Sequence, residues 1–257
     1  MIRLVVTAEE FGATEQANKG ILRAHRTGIV TSTSVAGNCV DIESVRAALA
    51  ECPQLGVGIS LAATNGHPVA PPGEVASLLT PTGQFRAGPG AFAVDWIKQA
   101  IVPPEVEREF DAQITRALAA GLAVDHLCTR GHVGFLPGIG QIVERLARRH
   151  RIAGLRTSVE PPTLAWLADP GRGIETGALS GLAWLMRRRL GPLRHGPRTW
   201  GYFEAGRLDE VIALAGLIVD GGDPAGRIGA EGILRGSVGV SPCIGDRRRN
   251  GLNDTNV

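Results

Sequence analysis

At 257 residues, with 44% hydrophobic and 20% charged side chains, the chain can bury a full globular core, and its net charge of +2 excludes the strongly basic balance of a nucleic-acid partner. Cys39, Cys52, Cys128 and Cys243 are widely spaced with no C-x-x-C pair, the usage expected of reduced thiols in a cytoplasmic protein. No basic leader with a cleavage site opens the sequence, so no secretory signal is expected. The longest apolar run, near Val211–Val219, is about half of a membrane span.

The first predicted strand, Ile2–Val6, is the apolar run of a strand buried on both faces. It leads into Glu9, Glu10, Phe11 and Gly12, where Gly12 permits a turn. Ala13–Thr27 reads as a helix, with Ala17, Ile21 and Ala24 on one face and Gly28 as its stop. Ile29–Ala36 is β-rich and is followed by the turn Gly37-Asn38; Ile42–Leu49 is a second helix and Leu55–Ala62 a third strand. The long Pro- and Gly-rich stretch Thr64–Pro104 is expected to be functional, or to hold a short helix at Ala91–Ile101.

Pro103-Pro104 open the clearest helix, Glu105–Ala120, with acids in its first turn and Gly121 at its end. Val124–Thr129 is strand four and leads through Arg130, Gly131 and His132 into the helix Ile139–His150. Leu155–Val159 is strand five, Leu179–Leu190 and Leu208–Val219 are helices, and Gly232–Val240 is the last strand. Such alternation predicts a single domain built on a parallel sheet or barrel.

Two features carry candidate chemistry. Carboxyl ends of strands are where α/β folds place their sites, so Glu9 and Glu10 are candidate acid–base or metal-binding groups; two solvated carboxylates are the plainer reading. On strand four the period of two puts His126, Cys128 and Arg130 on one face. Glu10, Cys128 and His132 would make a permissible zinc set, set against a small buried Cys128 and a hydrogen-bonded His126. The basic segment Arg187–Arg198 is either a solvated face or, with Trp184 and Trp200, a surface for an anionic membrane.

The ordered blocks V-T-A-E-E-F-G (6–12), A-H-R-T-G-I-V-T-S-T-S (24–34), L-G-V-G-I-S-L (55–61), H-P-V-A-P-P (67–72), D-H-L-C-T-R-G-H-V-G-F-L-P (125–137), G-L-R-T-S-V-E-P-P (154–162) and G-Y-F-E-A-G-R-L (201–208) resemble the YdjC-like carbohydrate deacetylases, closest to their hopanoid-biosynthesis-associated branch. The resemblance implies an α/β fold, an irregular TIM-like (β/α) barrel of glycoside hydrolase/deacetylase type. It also implies a divalent metal, Mg or Zn, and hydrolysis of the N-acetyl amide of an acetylated sugar or glycosylated hopanoid lipid. By that resemblance Glu9 is the base and Glu10 a metal ligand, where the family has two aspartates. The family's third-strand ligand histidine falls on Ser60, and its D-x-H-x-H-x-H block falls on Cys128, Arg130, His132 and Gly134, so that the second ligand histidine becomes Arg130. Neither serine nor a permanent cation serves a divalent ion as imidazole does. Arg130 and His132 are then expected to contact substrate. The alternative is a metal-free, catalytically impaired barrel acting as a binding protein, with Arg130 ion-paired to Glu10 at the former metal position. The resemblance covers about 1–220. Residues 221–257 diverge from the family, lack its His-Pro, and end from about 244 in a polar tail expected to be disordered.

Overall fold

The computed structural model describes residues 4–156, 170–189, 194–195 and 238–242. Strands and helices alternate in the expected order: β1 Leu4–Phe11, α1 Glu15–Thr27, β2 Ser32–Ala36, α2 Ile42–Ala50, β3 Gly56–Leu61, α3 Pro89–Ile97, α4 Pro103–Ala119, β4 Val124–Thr129, α5 Ile139–Arg149, β5 Gly154–Leu155, α6 Pro170–Arg189, β6 Arg194–His195 and β7 Val238–Pro242. The strands form one sheet in the order β6-β5-β4-β3-β2-β1-β7. Neighbours from β1 to β6 run parallel, while β7 lies antiparallel on β1, with Val6 opposite Val240. The last strand is thus an antiparallel edge. Residues 157–159 and 232–237, the helix expected at Leu208–Val219, Arg198, Trp200 and the polar tail lie outside the described residues.

The parallel strands are buried because helices cover them. Ile21 and Leu22 of α1, Val45 and Leu49 of α2, Phe110 and Ile114 of α4, and Ile139 and Leu146 of α5 join the strand side chains in one apolar core. β2 is buried along its whole length although it reads Ser-Thr-Ser-Val-Ala. Of its polar groups, Thr33 Oγ1 donates to the carbonyl of Ala8 on β1 at 2.8 Å, whereas Ser34 Oγ is buried without a hydrogen-bond partner among the described residues.

The chain between β3 and α3 is ordered by side chains of α4. Gln113, fully buried, accepts from Ala62 N at 2.9 Å and donates to Ala62 O at 2.6 Å and to Glu109 at 2.7 Å. Glu109, also fully buried, accepts from Val69 N at 2.9 Å and Ala70 N at 3.0 Å. Gly37 is required beside them, since a Cβ there would stand 2.1 Å from Gln113 Oε1. The segment is closed further by the Arg86–Asp95 ion pair at 2.5 Å. Two short 3-10 turns, Pro72–Glu74 and Ala76–Leu78, precede α3, which ends four residues before the expected boundary, where Gln99 takes φ 58°.

Burial raises the Glu109 carboxyl above the ordinary glutamate value, against the opposing pull of its hydrogen bonds and of Arg116. A raised folded-state value means that its contribution to stability is complete below the unfolded value, about pH 4.3, and is lost as pH rises through the raised one. The stability of the natural protein relative to Glu109→Gln should therefore fall as pH rises above the ordinary glutamate range. Urea unfolding of both proteins across that rise measures it; a constant difference contradicts it.

Candidate active site

The expected turn after the two acids begins two residues sooner than Gly12 predicts. Glu10 itself takes φ 69°, and the β1–β2 register slips between Ala8 and Phe11. A non-glycine residue in the left-handed region is uncommon and costs about 1–3 kcal/mol, so the surroundings must enforce it. They do: Gly12 N donates to Asn18 Oδ1 at 2.6 Å, and Ala13 N donates to Glu10 O at 3.1 Å. The turn brings both carboxylates to the same end of the sheet, although successive strand residues ordinarily face opposite sides.

Each carboxylate meets an arginine from a distant strand. Arg130, directly after β4, donates through Nε to Glu10 Oε1 at 3.1 Å and through Nη2 to Glu10 Oε2. Its Nη1 donates to Asn38 Oδ1 at 3.3 Å. Asn38, in the turn after β2, uses its own Nδ2 to hold the carbonyls of Asn65 at 3.0 Å and His67 at 3.3 Å. Glu9 Oε1 pairs with Arg156 Nη2, one residue beyond β5. Strands stand about 4.8 Å apart, so a flat sheet would hold the ends of β1 and β4 about 14 Å apart and those of β1 and β5 about 19 Å apart. The Glu9–Arg156 pair lies farther apart across a flat sheet than two extended side chains can reach, so the sheet is curled around this mouth.

Beneath the pairs lies Cys128, whose thiol is buried and donates to Ile59 O at 3.6 Å. Burial pushes it up, with Arg156 opposing and Glu9 reinforcing the shift. It is a neutral, inert thiol, and the hydroxyls of Ser60 and Ser34 lie beside it. Ser60, 1% exposed, stands opposite Cys128 in the β3–β4 register. His126 is turned to Asp125 at 2.5 Å, and its ring lies against Gly58. His132, with φ 58° after Gly131 at φ 61°, stacks its ring on Phe135 at 5.4 Å.

The ion that the resemblance implies does not fit these residues. Of the three ligand positions, Glu10 has both oxygens engaged by a guanidinium, Ser60 offers a hydroxyl, and Arg130 is a cation. No three His, Cys, Asp or Glu side chains converge as a metal set among the described residues, so the Glu10–Cys128–His132 set is not assembled. The sequence reading missed Arg156 and Asn38. Charge accounting was the available signal for Arg156: two acids in one mouth call for two cations, and Arg156 lies within the expected strand five.

A family model described as YdjC-like protein matches residues 3–214. A carbohydrate deacetylase of Brevibacillus brevis is 40% identical over 151 residues, 59% of this chain and 58% of its own length. A carbohydrate deacetylase of Mus musculus is 32% identical over 206 residues, 77% of this chain and 63% of its own. A chitooligosaccharide deacetylase of an Enterobacter species is 34% identical over 153 residues, 58% of this chain and 57% of its own. The chain thus spans about three fifths of the length of these curated relatives. The solved structure of an Enterococcus faecalis V583 protein, proposed to cleave cellobiose phosphate, matches with a TM-score of 0.59 at 23% identity, covering 80% of this chain and 74% of that one, and shows the fold alone.

The Arg156–Glu9 pair is mostly shielded, with side-chain exposures of 11% and 22%. Removing one partner of such a pair strands the other charge. Arg156→Met should lower stability by about 1–3 kcal/mol, and Glu9→Gln in the same chain should restore part of the loss. Denaturant midpoints of the single and double variants read this directly; a neutral Arg156→Met rules the pair out as a structural tie.

Proposed function

The chain belongs to the YdjC-like protein family, and we propose that its mouth receives an acetylated carbohydrate and is laid out for hydrolysis of the N-acetyl amide, at a rate its own ion pairs keep low. The ligand class is supported by the relatives named carbohydrate and chitooligosaccharide deacetylases. The low rate is supported by one observation: the two carboxylates at the positions of base and metal ligand are each held by an arginine. With Glu9 Oε1 on Arg156, a water must be taken by Oε2. Arg130, 19% exposed, and His132 are the side chains assigned to the sugar. The same pairs favour a second reading, a binding protein without turnover.

Finer parts of the reading have their own support. The irregular barrel is supported by the consecutive parallel strands and by the curl that the Glu–Arg pairs impose. A barrel unit of about 1–220 and a divergent segment at 221–257 agree with a family match ending at residue 214. A cytoplasmic setting is supported by the free thiols Cys39, Cys52 and Cys128. No helix among the described residues is long and apolar enough to cross a membrane. Peripheral contact, as a glycosylated hopanoid lipid would require, is supported by α6, which exposes Ile174, Leu182, Trp184 and Leu185, with the Arg188 guanidinium 4.3 Å over the Trp184 ring.

Calorimetry with an N-acetylated chitooligosaccharide should show binding, with acetate release at least about a hundredfold slower than that of a deacetylase relative assayed beside it. Glu9→Gln should abolish whatever release remains. Absence of binding and of release sinks the ligand class, whereas release at the relative's rate sinks the low-rate reading. For the membrane contact, vesicles containing anionic lipid should sediment the protein at low salt and release it at high salt. Binding that is absent or indifferent to salt removes the glycolipid version.

A further inference from the structure

The position that resemblance gives to a divalent ion is spanned by a guanidinium anchored on two sides. On one side, Arg130 meets both oxygens of Glu10 with two different N–H groups, the side-on fork that suits a planar guanidinium and a planar carboxylate. Each Glu10 oxygen then has one lone pair taken up by the guanidinium, and an ion bound through the others would sit beside a permanent cation. On the other side, Nη1 donates to Asn38 Oδ1, and the Asn38 amide is itself fixed by the carbonyls of Asn65 and His67. The guanidinium is therefore located by the turn after β2 as well as by Glu10, and it cannot swing clear without releasing both.

Charge points the same way. Glu9, Glu10, Arg130 and Arg156 together sum to zero. A dication added to this quartet would meet two permanent positive charges, and the two carboxylates among the described residues there are already neutralised. Ser60 below is buried beside a neutral thiol, so the floor adds no anionic ligand. Among the described residues, three of its five N–H groups are directed to partners, Glu10 and Asn38. The remaining two suit a neutral carbonyl oxygen such as that of an acetamido group.

We propose that Arg130, locked between Glu10 and Asn38, stands in for a divalent ion, so that the site binds the acetamido group of its ligand without metal. The ligand half of this statement rests on the acetylated-carbohydrate reading above; the metal half rests on Glu10, Arg130 and Asn38 alone.

The test has three arms on the full chain. In the first, the purified protein is loaded with excess Zn²⁺, desalted and assayed for zinc, beside the variant Glu10→Asp, Ser60→His, Arg130→His. The natural protein should hold at least about tenfold less zinc than the variant. Near-equimolar zinc in the natural protein overturns the proposal, and so does a folded variant that takes up none. In the second, thermal melts of Arg130→Met, Glu10→Gln and the double variant form a cycle that needs no metal and no sugar. Each single variant should lower the midpoint by about 2–4 °C, and the double by less than their sum. Strict additivity overturns the pairing, and this arm decides the matter if the triple variant fails to fold. In the third, chitooligosaccharide binding is titrated with and without EDTA. Equal affinity supports the proposal and loss of binding with EDTA overturns it. Absence of binding in both conditions refutes the ligand reading, leaving the first two arms to decide the metal.

Discussion

The two Glu–Arg pairs across the mouth are the constraint on which the other features of this end of the molecule depend. They join β1 to the ends of β4 and β5, elements that a flat sheet would keep about 14 and 19 Å apart. A hydrogen-bonded ladder fixes only neighbouring strands; these pairs fix strands three and four places apart, and with them the curvature. Their contribution is larger than that of a surface pair because the Arg156, Arg130 and Glu9 side chains are mostly buried, although Glu10 keeps 36% exposure and with it part of its solvent screening. The left-handed conformation of Glu10 follows from this constraint. The backbone accepts that strain because the turn delivers two adjacent carboxylates to two separate arginines.

Much of the fold was legible because it rests on local signals. The Pro103-Pro104 start and the acidic first turn located α4 to within two residues, and the apolar runs located β3 and β4. The errors occur where tertiary contacts overrule local chemistry. β2 begins at Ser32 rather than Ile29, since Val30 is held to the end of α1, its N–H donating to Ala24 O and its carbonyl bonded to His25 Nδ1. α6 begins at Pro170, nine residues earlier than its apolar pattern indicates, although Gly171, Gly173 and Gly177 lower helix propensity there. Gln99 ends α3 in a left-handed conformation that no glycine announces.

The site was legible in part for the same reason. Arg130 could be paired with Glu10 from sequence because the resemblance placed both at one former ion, and the loss of a cation demands another beside a shielded carboxylate. Nothing local identifies Arg156 as the partner of Glu9; that follows from how far the sheet curls, which propensities do not encode. Asn38 is still less visible, since Gly-Asn reads as an ordinary turn. Only the structure shows its amide bridging Arg130 and the segment that Glu109 and Gln113 hold against α4.

Under the metal-free reading proposed above, the residues at positions 10, 60 and 130 form one coupled set rather than three separate losses. Glutamate at 10 carries its carboxylate one methylene beyond an aspartate, which helps it meet a guanidinium arriving from the end of β4. Arginine at 130 replaces an ion's charge but needs more room than an imidazole, and it gains an anchor on Asn38 that lies off the carboxylate. At 60, opposite Cys128 and 1% exposed, an imidazole with no ion to coordinate would be a bulky buried donor and acceptor pair in need of partners, whereas serine fits the small polar floor. Reverting any one position alone leaves either an unpaired carboxylate, a stranded cation or an unsatisfied imidazole. Residues that share partners in this way do not contribute additively. That coupling explains how the mouth keeps its shape: the charge balance and the curvature of the sheet are held by the same four side chains.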